Sequence, residues 1–293
     1  MRLRLRDTLL ELERGRPPIM GIVNATPDSF SDPPGEKALG RLADRAEALV
    51  EAGAAIVDAG GESGRTDRAA VPEREEIARV VPLVERLAGR GMVVSVDTWR
   101  AEPARAALAA GAAMVNDVSG LADPVLAEHC AEAGAGLVIT HTRLAPKTKG
   151  FPAYEDVIAD VLELVRRRSV LARERGIGLE QLVVDPGIDL AKTPAESIEV
   201  LRRAHELEVL RRPLLFATSR KDFVGALTGR APGARDAGSL AALEPALGVP
   251  AAIVRVHDVA GTADFLRVRA ALRGEVEPPG GALEESLRRE ALA

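Results

Sequence analysis

Polar side chains that could bind a flat heterocycle stand at the ends of several apolar runs in this sequence. Asp97, Asn116 and Asp185 each end such a run. An amide offers both a donor and an acceptor, and a carboxylate can accept two N–H bonds side by side. One such residue alone is more often a helix cap or a turn residue. Three at matching positions favour a site for a ring with a guanidine-like edge.

A second group of side chains could bind an anion. Its members are Asn24, Arg65, Arg255 and His257. Two guanidinium groups, an amide and an imidazole suit a phosphate or pyrophosphate, because Arg makes forked contacts with its oxygens. Arg255 lies inside an apolar run, which argues against an ordinary solvated charge, whereas Arg65 could be one. Lys221 precedes a predicted helix and could bind an anion or a ring carbonyl.

The elements that must position these groups follow from hydrophobic periodicity. Short apolar runs predict strands, and each is followed by a segment with helical spacing of its apolar residues. The predicted strands cover 19–23, 55–58, 92–97, 113–117, 136–141, 182–185, 213–218 and 251–256. The predicted helices lie near 37–52, 73–89, 101–110, 123–133, 154–175, 194–207, 222–228, 236–247 and 261–273.

Strand–helix units repeated in this way predict an α/β fold, a (β/α)8 TIM barrel, in which the polar strand ends converge on one mouth. A doubly wound sheet is the alternative, but it would use fewer strands and a Gly-rich nucleotide-binding turn, which is absent from the sequence. We expect a single barrel domain over 19–274. The charged lead-in, 1–18, would cap the bottom of the barrel, and the polar tail, 275–293, would pack outside or fray.

Composition narrows the functional classes. The chain has 293 residues, of which 46% are hydrophobic but only 2% aromatic, so Val, Ile, Leu and Ala must build the core. A net charge of −5 without a basic block argues against nucleic-acid binding. Cys130 is the sole cysteine, no residues show zinc-ligand spacing, and no run resembles a signal peptide or membrane span. We expect a cytoplasmic protein.

Several motifs resemble those of the dihydropteroate synthase family and keep its order from about Ile19 to Arg273. They are IVNATPDSFSD at 22–32, GGES at 60–63, SVDT at 95–98, VNDV at 115–118, DPGI at 185–188, SRK at 219–221 and RVHD at 255–258. The resemblance implies a homodimeric TIM barrel of folate biosynthesis. Such an enzyme condenses 6-hydroxymethyl-dihydropterin pyrophosphate with p-aminobenzoate, giving dihydropteroate and pyrophosphate.

The resemblance also implies roles for individual residues. The pterin would be held by Asp97, Asn116, Asp185 and Lys221, and the pyrophosphate by Asn24, Arg65, Arg255 and His257, with Mg²⁺ at Asn24. Lys221, Asp97 and Arg255 would be catalytic. The acceptor side, where loops 25–35 and 62–69 close, would include Phe30, Gly64, Arg65 and Asp222. Asp58 matches a family carboxylate at the second strand.

The sequence departs from the family pattern mainly on the acceptor side. Gly64 and Thr66 replace a Thr and a Pro of the usual GESTRPG loop, and 189–192 read DLAK instead of GFGK. Pro33-Pro34 replaces a common Gly-Gly pair, and Thr142 replaces a Met. Gly64 removes a hydroxyl donor, and Thr66 removes the rigidity of a proline.

Asp222 is the departure with the largest expected effect, since the family commonly has Ser there. A helix begins at this point, and its amides would attract the acceptor carboxylate. Two like charges about 4 Å apart cost from ~1 to ~4 kcal/mol, depending on the dielectric constant. That is roughly ten- to a thousand-fold in affinity. Asp222→Ser should therefore lower the KM for aminobenzoate, unless Asp222 turns away or Arg65 neutralises it.

Three functions are compatible with these observations. The first is a working synthase with unusual loops. The second is a homologue that holds the pterin without condensing aminobenzoate. The third is a methyltetrahydrofolate-dependent methyltransferase, which shares the Asp/Asn/Asp set but does not need the motif at 219–221, Arg255 or His257.

Overall fold

Eight parallel strands close into a barrel in the computed structural model, which describes residues 1–25, 36–64, 66–278, 280–281 and 284–288. They are β3 (Ile19–Asn24), β4 (Ala54–Gly60), β5 (Val94–Asp97), β6 (Met114–Asp117), β7 (Gly136–Thr140), β8 (Leu182–Asp185), β9 (Leu214–Phe216) and β10 (Ala252–Val256). The strands are short, rich in Val, Ile and Leu, and almost wholly buried, as parallel strands covered by helices must be. The predicted TIM barrel is confirmed.

The helices pack around the barrel. They are α1 (Glu36–Glu51), α2 (Glu73–Gly89), α3 (Ala101–Ala109), α4 (Val125–Ala133), α5 (Val157–Glu174), α6 (Pro194–Arg202), α7 (Asp222–Thr228), α8 (Asp236–Ala241), α9 (Glu244–Gly248) and α10 (Val259–Leu272). The helix predicted over 194–207 is shorter, because α6 ends at Arg202 and a 3₁₀ segment follows. The helix predicted over 236–247 is two short helices.

The lead-in contains a hairpin that the sequence analysis did not predict. Strands β1 (Arg2–Leu5) and β2 (Thr8–Glu11) pair antiparallel. Leu3, Leu5 and Leu12 are buried in a cluster with inward-facing barrel side chains. The backbone N–H of Arg6 donates to the carbonyl oxygen of Gly134, 2.9 Å away and just before β7 begins. The hairpin therefore covers the barrel end opposite the polar strand ends.

Strand register places several polar residues at one level of the barrel. Asn24 pairs with Gly60, Gly60 with Asp97, and Asp97 with Asn116 across four neighbouring strands. Asn24, Asp97 and Asn116 therefore stand around one opening, formed by the carboxyl ends of the strands and called here the barrel mouth. Beyond α10, residues 275–278 are exposed. Within the described ranges, no helix has the length and apolarity needed to cross a membrane.

Candidate active site

Arg255 connects two carboxylates at the barrel mouth. Its Nε donates to Oδ2 of Asp58 at 2.6 Å, and its Nη2 donates to Oδ2 of Asp97 at 2.7 Å. Burial opposes the charge of Arg255, but the two carboxylates outweigh burial and raise its pKa. Arg255 therefore stays positive and holds both acids in fixed positions. Arg255, which is predicted to bind the pyrophosphate, thus contacts Asp97, which is predicted to bind the pterin.

Asn116 extends this network. Its Nδ2 donates to Oδ2 of Asp58, 3.1 Å away, and the residue is only 2% exposed. Asp58 therefore accepts from both Asn116 and Arg255, while its other oxygen, Oδ1, is buried without a partner among the described residues. Asp58 therefore connects Asn116 and Arg255, a role that the family resemblance did not specify.

Asp97 carries an unusual proton affinity. Burial, with a contribution from the negative charge of Asp58, raises its pKa to about 7 against the opposing charge of Arg255. An aspartate with this pKa exchanges between acid and carboxylate near neutral pH. Perturbed carboxyl groups of this kind are common in sites that handle polar or charged ligands.

Asp185 and Lys221 are both attached to the turn that follows β8. Oδ1 of Asp185 accepts from the backbone N–H of Gly187 at 2.7 Å, and Nζ of Lys221 donates to the carbonyl oxygen of Ile188 at 3.1 Å. Burial raises the pKa of Asp185, whereas the Gly187 amide and the charge of Lys221 lower it. Lys221 also acts electrostatically on Asp97. All four residues predicted to hold the pterin therefore lie together at the mouth.

His257 and Asn24 lie on the rim beside this group. Nδ1 of His257 is 3.0 Å from Oγ of Ser219, at the start of the Ser-Arg-Lys motif. Burial, followed by the charges of Arg220 and Arg255, lowers the pKa of His257 to about 4, so the imidazole is neutral at pH 7. Asn24 ends β3 with an exposed side chain. Arg65 and Phe30 lie outside the described residues.

Acceptor-side residues line a cavity of about 290 Å³ next to the mouth. Its walls include Gly64, Trp99, Phe151, Leu190, Lys192 and Asp222. The loop over 143–151, between β7 and α5, supplies one wall, and the DLAK segment supplies another. The sequence departures at Gly64, Asp222 and 189–192 thus meet in one space. The sequence indicates Asp189 and Lys192 only as parts of the changed DLAK motif and not as residues of the site.

Asp222 is exposed and paired, so its charge should act on the acceptor less than the sequence suggests. Its side chain is 86% exposed and paired with Nη1 of Arg235 at 3.0 Å, so the neutralising partner in the described structure is Arg235. The first two amides of α7, on Asp222 and Phe223, both donate to the carboxylate of Asp189. The helix start is therefore already capped by a carboxylate from the neighbouring loop. An exposed and paired Asp222 repels an acceptor far less than a buried charge would.

The side chains at the barrel mouth offer only part of the ligand shell that a magnesium ion needs. No group of three or more His, Cys, Asp or Glu side chains in the described ranges could cage a metal. Asn24 nevertheless offers an exposed amide oxygen, and its Oδ1 points toward Gly60, the level of Asp97. Mg²⁺ commonly takes few protein ligands and completes its shell with water and substrate phosphates. The residues therefore fit an ion that arrives with a pyrophosphate.

Comparison with protein families relates most of the chain to a known family. Residues 20–257 match the family model described as pterin binding enzyme. The curated dihydropteroate synthase of Escherichia coli K12 is 38% identical over 270 residues, which cover 92% of this chain and 95% of that protein. The dihydropteroate synthase of Mycobacterium leprae is 40% identical over 270 residues, covering 85% and 91% of the two chains.

Solved structures give the same relationship. The dihydropteroate synthase of Xanthomonas albilineans with 4-aminobenzoic acid superposes with a TM-score of 0.84 at 40% identity, covering 93% of this chain and 98% of that one. The same enzyme in complex with 7,8-dihydropteroate gives a TM-score of 0.82 at 39% identity, covering 93% and 99%. These relatives share the barrel over nearly their full length.

Proposed function

This chain belongs to the dihydropteroate synthase family of pterin-binding enzymes, and we propose that it condenses 6-hydroxymethyl-dihydropterin pyrophosphate with p-aminobenzoate in folate biosynthesis. The observation that carries the proposal is the grouping of Asp97, Asn116, Asp185 and Lys221 at one mouth, tied by Arg255 to the anion-binding rim. The relatives crystallised with 4-aminobenzoic acid and 7,8-dihydropteroate support the choice of acceptor and product.

The pterin would be held through its polar edges. Carboxylates of Asp97 and Asp185 accept ring and exocyclic N–H groups, and the Asn116 amide can donate as well as accept. The Lys221 ammonium can donate to the ring carbonyl. Because Asp58 and Arg255 fix Asn116 and Asp97, the site would be largely organised before the ligand binds.

The reaction would proceed by loss of the leaving group before attack. The bond between the pterin methylene carbon and the pyrophosphate oxygen breaks, and its electron pair leaves with the pyrophosphate. The negative charge of Asp97 near the ring stabilises the resulting cation. The amine nitrogen of p-aminobenzoate then bonds to the methylene carbon and loses a proton to solvent. Arg255, Asn24 and His257 would contact the departing pyrophosphate, the histidine as a neutral hydrogen-bonding group.

Mg²⁺ is part of the proposal. When bound, it would neutralise charge on the pyrophosphate oxygens and so favour their departure. The amide oxygen of Asn24 would be its protein ligand, with the remaining positions filled by pyrophosphate and water. Removal of the ion by a chelator should abolish turnover, and Mg²⁺ added back should restore it.

We further propose a cytoplasmic homodimer. The outer face of α10 exposes Val268 and Leu272, which are 59% and 83% accessible, beside an apolar groove that includes Phe265. Exposed apolar patches of this kind commonly mark contacts between proteins. Sedimentation equilibrium of the wild type and of Leu272→Asp tests the dimer. A dimeric wild type and a weakened variant are expected, whereas a monomeric wild type would contradict the proposal.

The test of function is direct. Purified protein is incubated with the pterin pyrophosphate, Mg²⁺ and p-aminobenzoate, and both pyrophosphate release and dihydropteroate formation are followed. Formation of both products in equal amounts is expected. Pterin binding without product would instead support the homologue that does not condense the acceptor, and absence of any pterin binding would reject the whole proposal.

A further inference from the structure

Lys192 is a fully buried lysine that none of the steps above uses. It is 1% exposed and lies two residues before the start of α6. Its Nζ lies 2.8 Å from Nδ1 of His141 and 2.9 Å from the carbonyl oxygen of Gly187. The carbonyl oxygens of Leu190 and His141 follow at 3.3 and 3.4 Å. Burial lowers the pKa of Lys192 to about 7, against the opposing charges of Asp185 and Asp160. A single amino group thus gathers backbone carbonyls of the loop over 186–191, here called the β8–α6 loop.

His141 fixes the position of this amino group. Because its Nδ1 accepts from Lys192, its Nε2 carries the hydrogen that faces Oδ1 of Asp160, 2.6 Å away on α5. Burial, with the charge of Lys192, lowers the pKa of His141 to about 4, which keeps the ring neutral in this role. The amino group of Lys192 is therefore anchored through His141 and Asp160 to β7 and α5, outside the loop that it holds.

The β8–α6 loop needs such an anchor. Asp189 and Ala191 adopt φ angles of +59° and +52°, which non-glycine residues seldom take without support from their surroundings. Tyr154 contributes to that support, because its hydroxyl donates to the carbonyl oxygen of Ala191 at 3.0 Å. An apolar side chain in place of Lys192 would fill the space without the desolvation cost of a buried amino group. What Lys192 adds is its hold on the carbonyls through its N–H groups.

Two residues predicted to bind the pterin depend on this loop for the position of their side chains. Asp185 is oriented by the N–H of Gly187, whose own carbonyl oxygen is held by Lys192. Lys221 is oriented by the carbonyl oxygen of Ile188, which in the chain lies between Gly187 and Leu190, the two loop residues whose carbonyl oxygens Lys192 binds. A displacement of the loop would therefore move the partners of both side chains together.

We propose that Lys192 is a positioning residue, which places Lys221 and Asp185 for the pterin by clamping the β8–α6 loop to His141. The proposal rests on the function proposed above. Because Lys192 would act on the geometry of the pterin site, its loss should weaken pterin binding as well as turnover.

A double-mutant cycle tests the connection. Binding of 6-hydroxymethylpterin is measured by calorimetry for the wild type, Lys192→Met, Lys221→Met and the double variant, with kcat and KM for the pterin pyrophosphate alongside. Lys192→Met should weaken pterin binding about tenfold. In the Lys221→Met background the same change should weaken binding less, by about threefold, because only its effect through Asp185 remains.

A matched control separates positioning from stability. Gln181 is buried at the opposite end of the barrel, where its Nε2 donates to the carbonyl oxygen of Ala135 at 2.7 Å. Gln181→Met should lower the melting temperature and leave the pterin constants of the folded protein unchanged. If Lys192→Met behaves like Gln181→Met, Lys192 has no positioning role. If the two changes in the cycle are additive, Lys192 does not act through Lys221, and the proposal as stated fails.

A second variant keeps the test decisive if Lys192→Met does not fold. Tyr154→Phe removes only the hydroxyl that holds Ala191, and it should weaken pterin binding in the same direction by a smaller factor. Unchanged binding in a folded Tyr154→Phe protein would overturn the proposal in that case. A wild type that binds no pterin would instead overturn the proposed function, so the two failures are distinguishable.

Discussion

Nη2 of Arg255 lies 2.7 Å from Oδ2 of Asp97, although 158 positions separate the two residues in the chain. The contact joins the side chain predicted for the pyrophosphate to one predicted for the pterin. It also sets the balance of charge at the mouth, since the same guanidinium binds Asp58 at 2.6 Å. Removal of one group in this network should therefore affect the recognition of both halves of the substrate.

Arg255→Lys should impair the enzyme although it keeps the charge. A lysine ammonium is a point charge and cannot span Asp58 and Asp97 as the guanidinium does. Loss of one charge-assisted hydrogen bond is worth ~1.5–3 kcal/mol, so kcat/KM for the pterin pyrophosphate should fall about tenfold or more. Steady-state kinetics measure this. Arg203→Lys, in an ion-pair cluster on the outer surface, is the matched control and should leave kcat/KM unchanged.

The pH dependence should report Asp97. Its pKa is raised to about 7 in the ligand-free protein, so the carboxylate that accepts pterin N–H groups predominates only above that pH. The profile of kcat/KM, which reflects the free enzyme, should rise as pH increases through about 7 and then level off. The profile of kcat should rise at lower pH, because bound N–H donors favour the charged form.

The Asp97→Asn variant identifies the group responsible. It should be less active, and the rise of kcat/KM near pH 7 should disappear, because the amide does not titrate. Persistence of the same rise in this variant would assign it to another group or to the substrate phosphate. A rise centred near the ordinary aspartate pKa would show that burial does not perturb Asp97 in solution.

Asp222→Ser should have a modest effect on the acceptor. Because Asp222 is exposed and paired with Arg235, its charge is worth at most ~1 kcal/mol, and the KM for p-aminobenzoate should fall by less than about fivefold. Asp222→Asn, which removes the charge and keeps the size, should give the same change. A fall of two orders of magnitude would restore the stronger repulsion expected from the sequence, and a rise in KM would reject repulsion altogether.

Gly187→Ala should damage the fold next to the site. Gly187 has a φ of +72°, and a Cβ there would overlap the carbonyl oxygen of His141. Strain of this kind costs about 1–3 kcal/mol, and the overlap adds to it. Thermal unfolding should show a melting temperature several degrees lower, and an unchanged one would mean that the turn relaxes freely. Gly89→Ala is the control, because nothing lies within 4 Å of its added Cβ.

The sequence by itself determined the architecture of this protein. Local periodicity marks each strand and helix, and parallel strands in a closed barrel must bring their carboxyl ends together. The grouping of Asp97, Asn116 and Asp185 follows from that rule without any knowledge of side-chain contacts. The family motifs could assign roles to these residues, and those roles stay predictions until ligands are measured.

Only the tertiary structure decided which groups pair. Arg255 lies between Asp58 and Asp97, Asp222 meets Arg235, and Lys192 is buried against His141. Each pairing depends on distances between elements far apart in the chain and on the cost of removing charge from water, which local sequence does not encode. The N-terminal hairpin escaped prediction for a similar reason, since Leu3 and Leu5 find their apolar partners only once the barrel has closed.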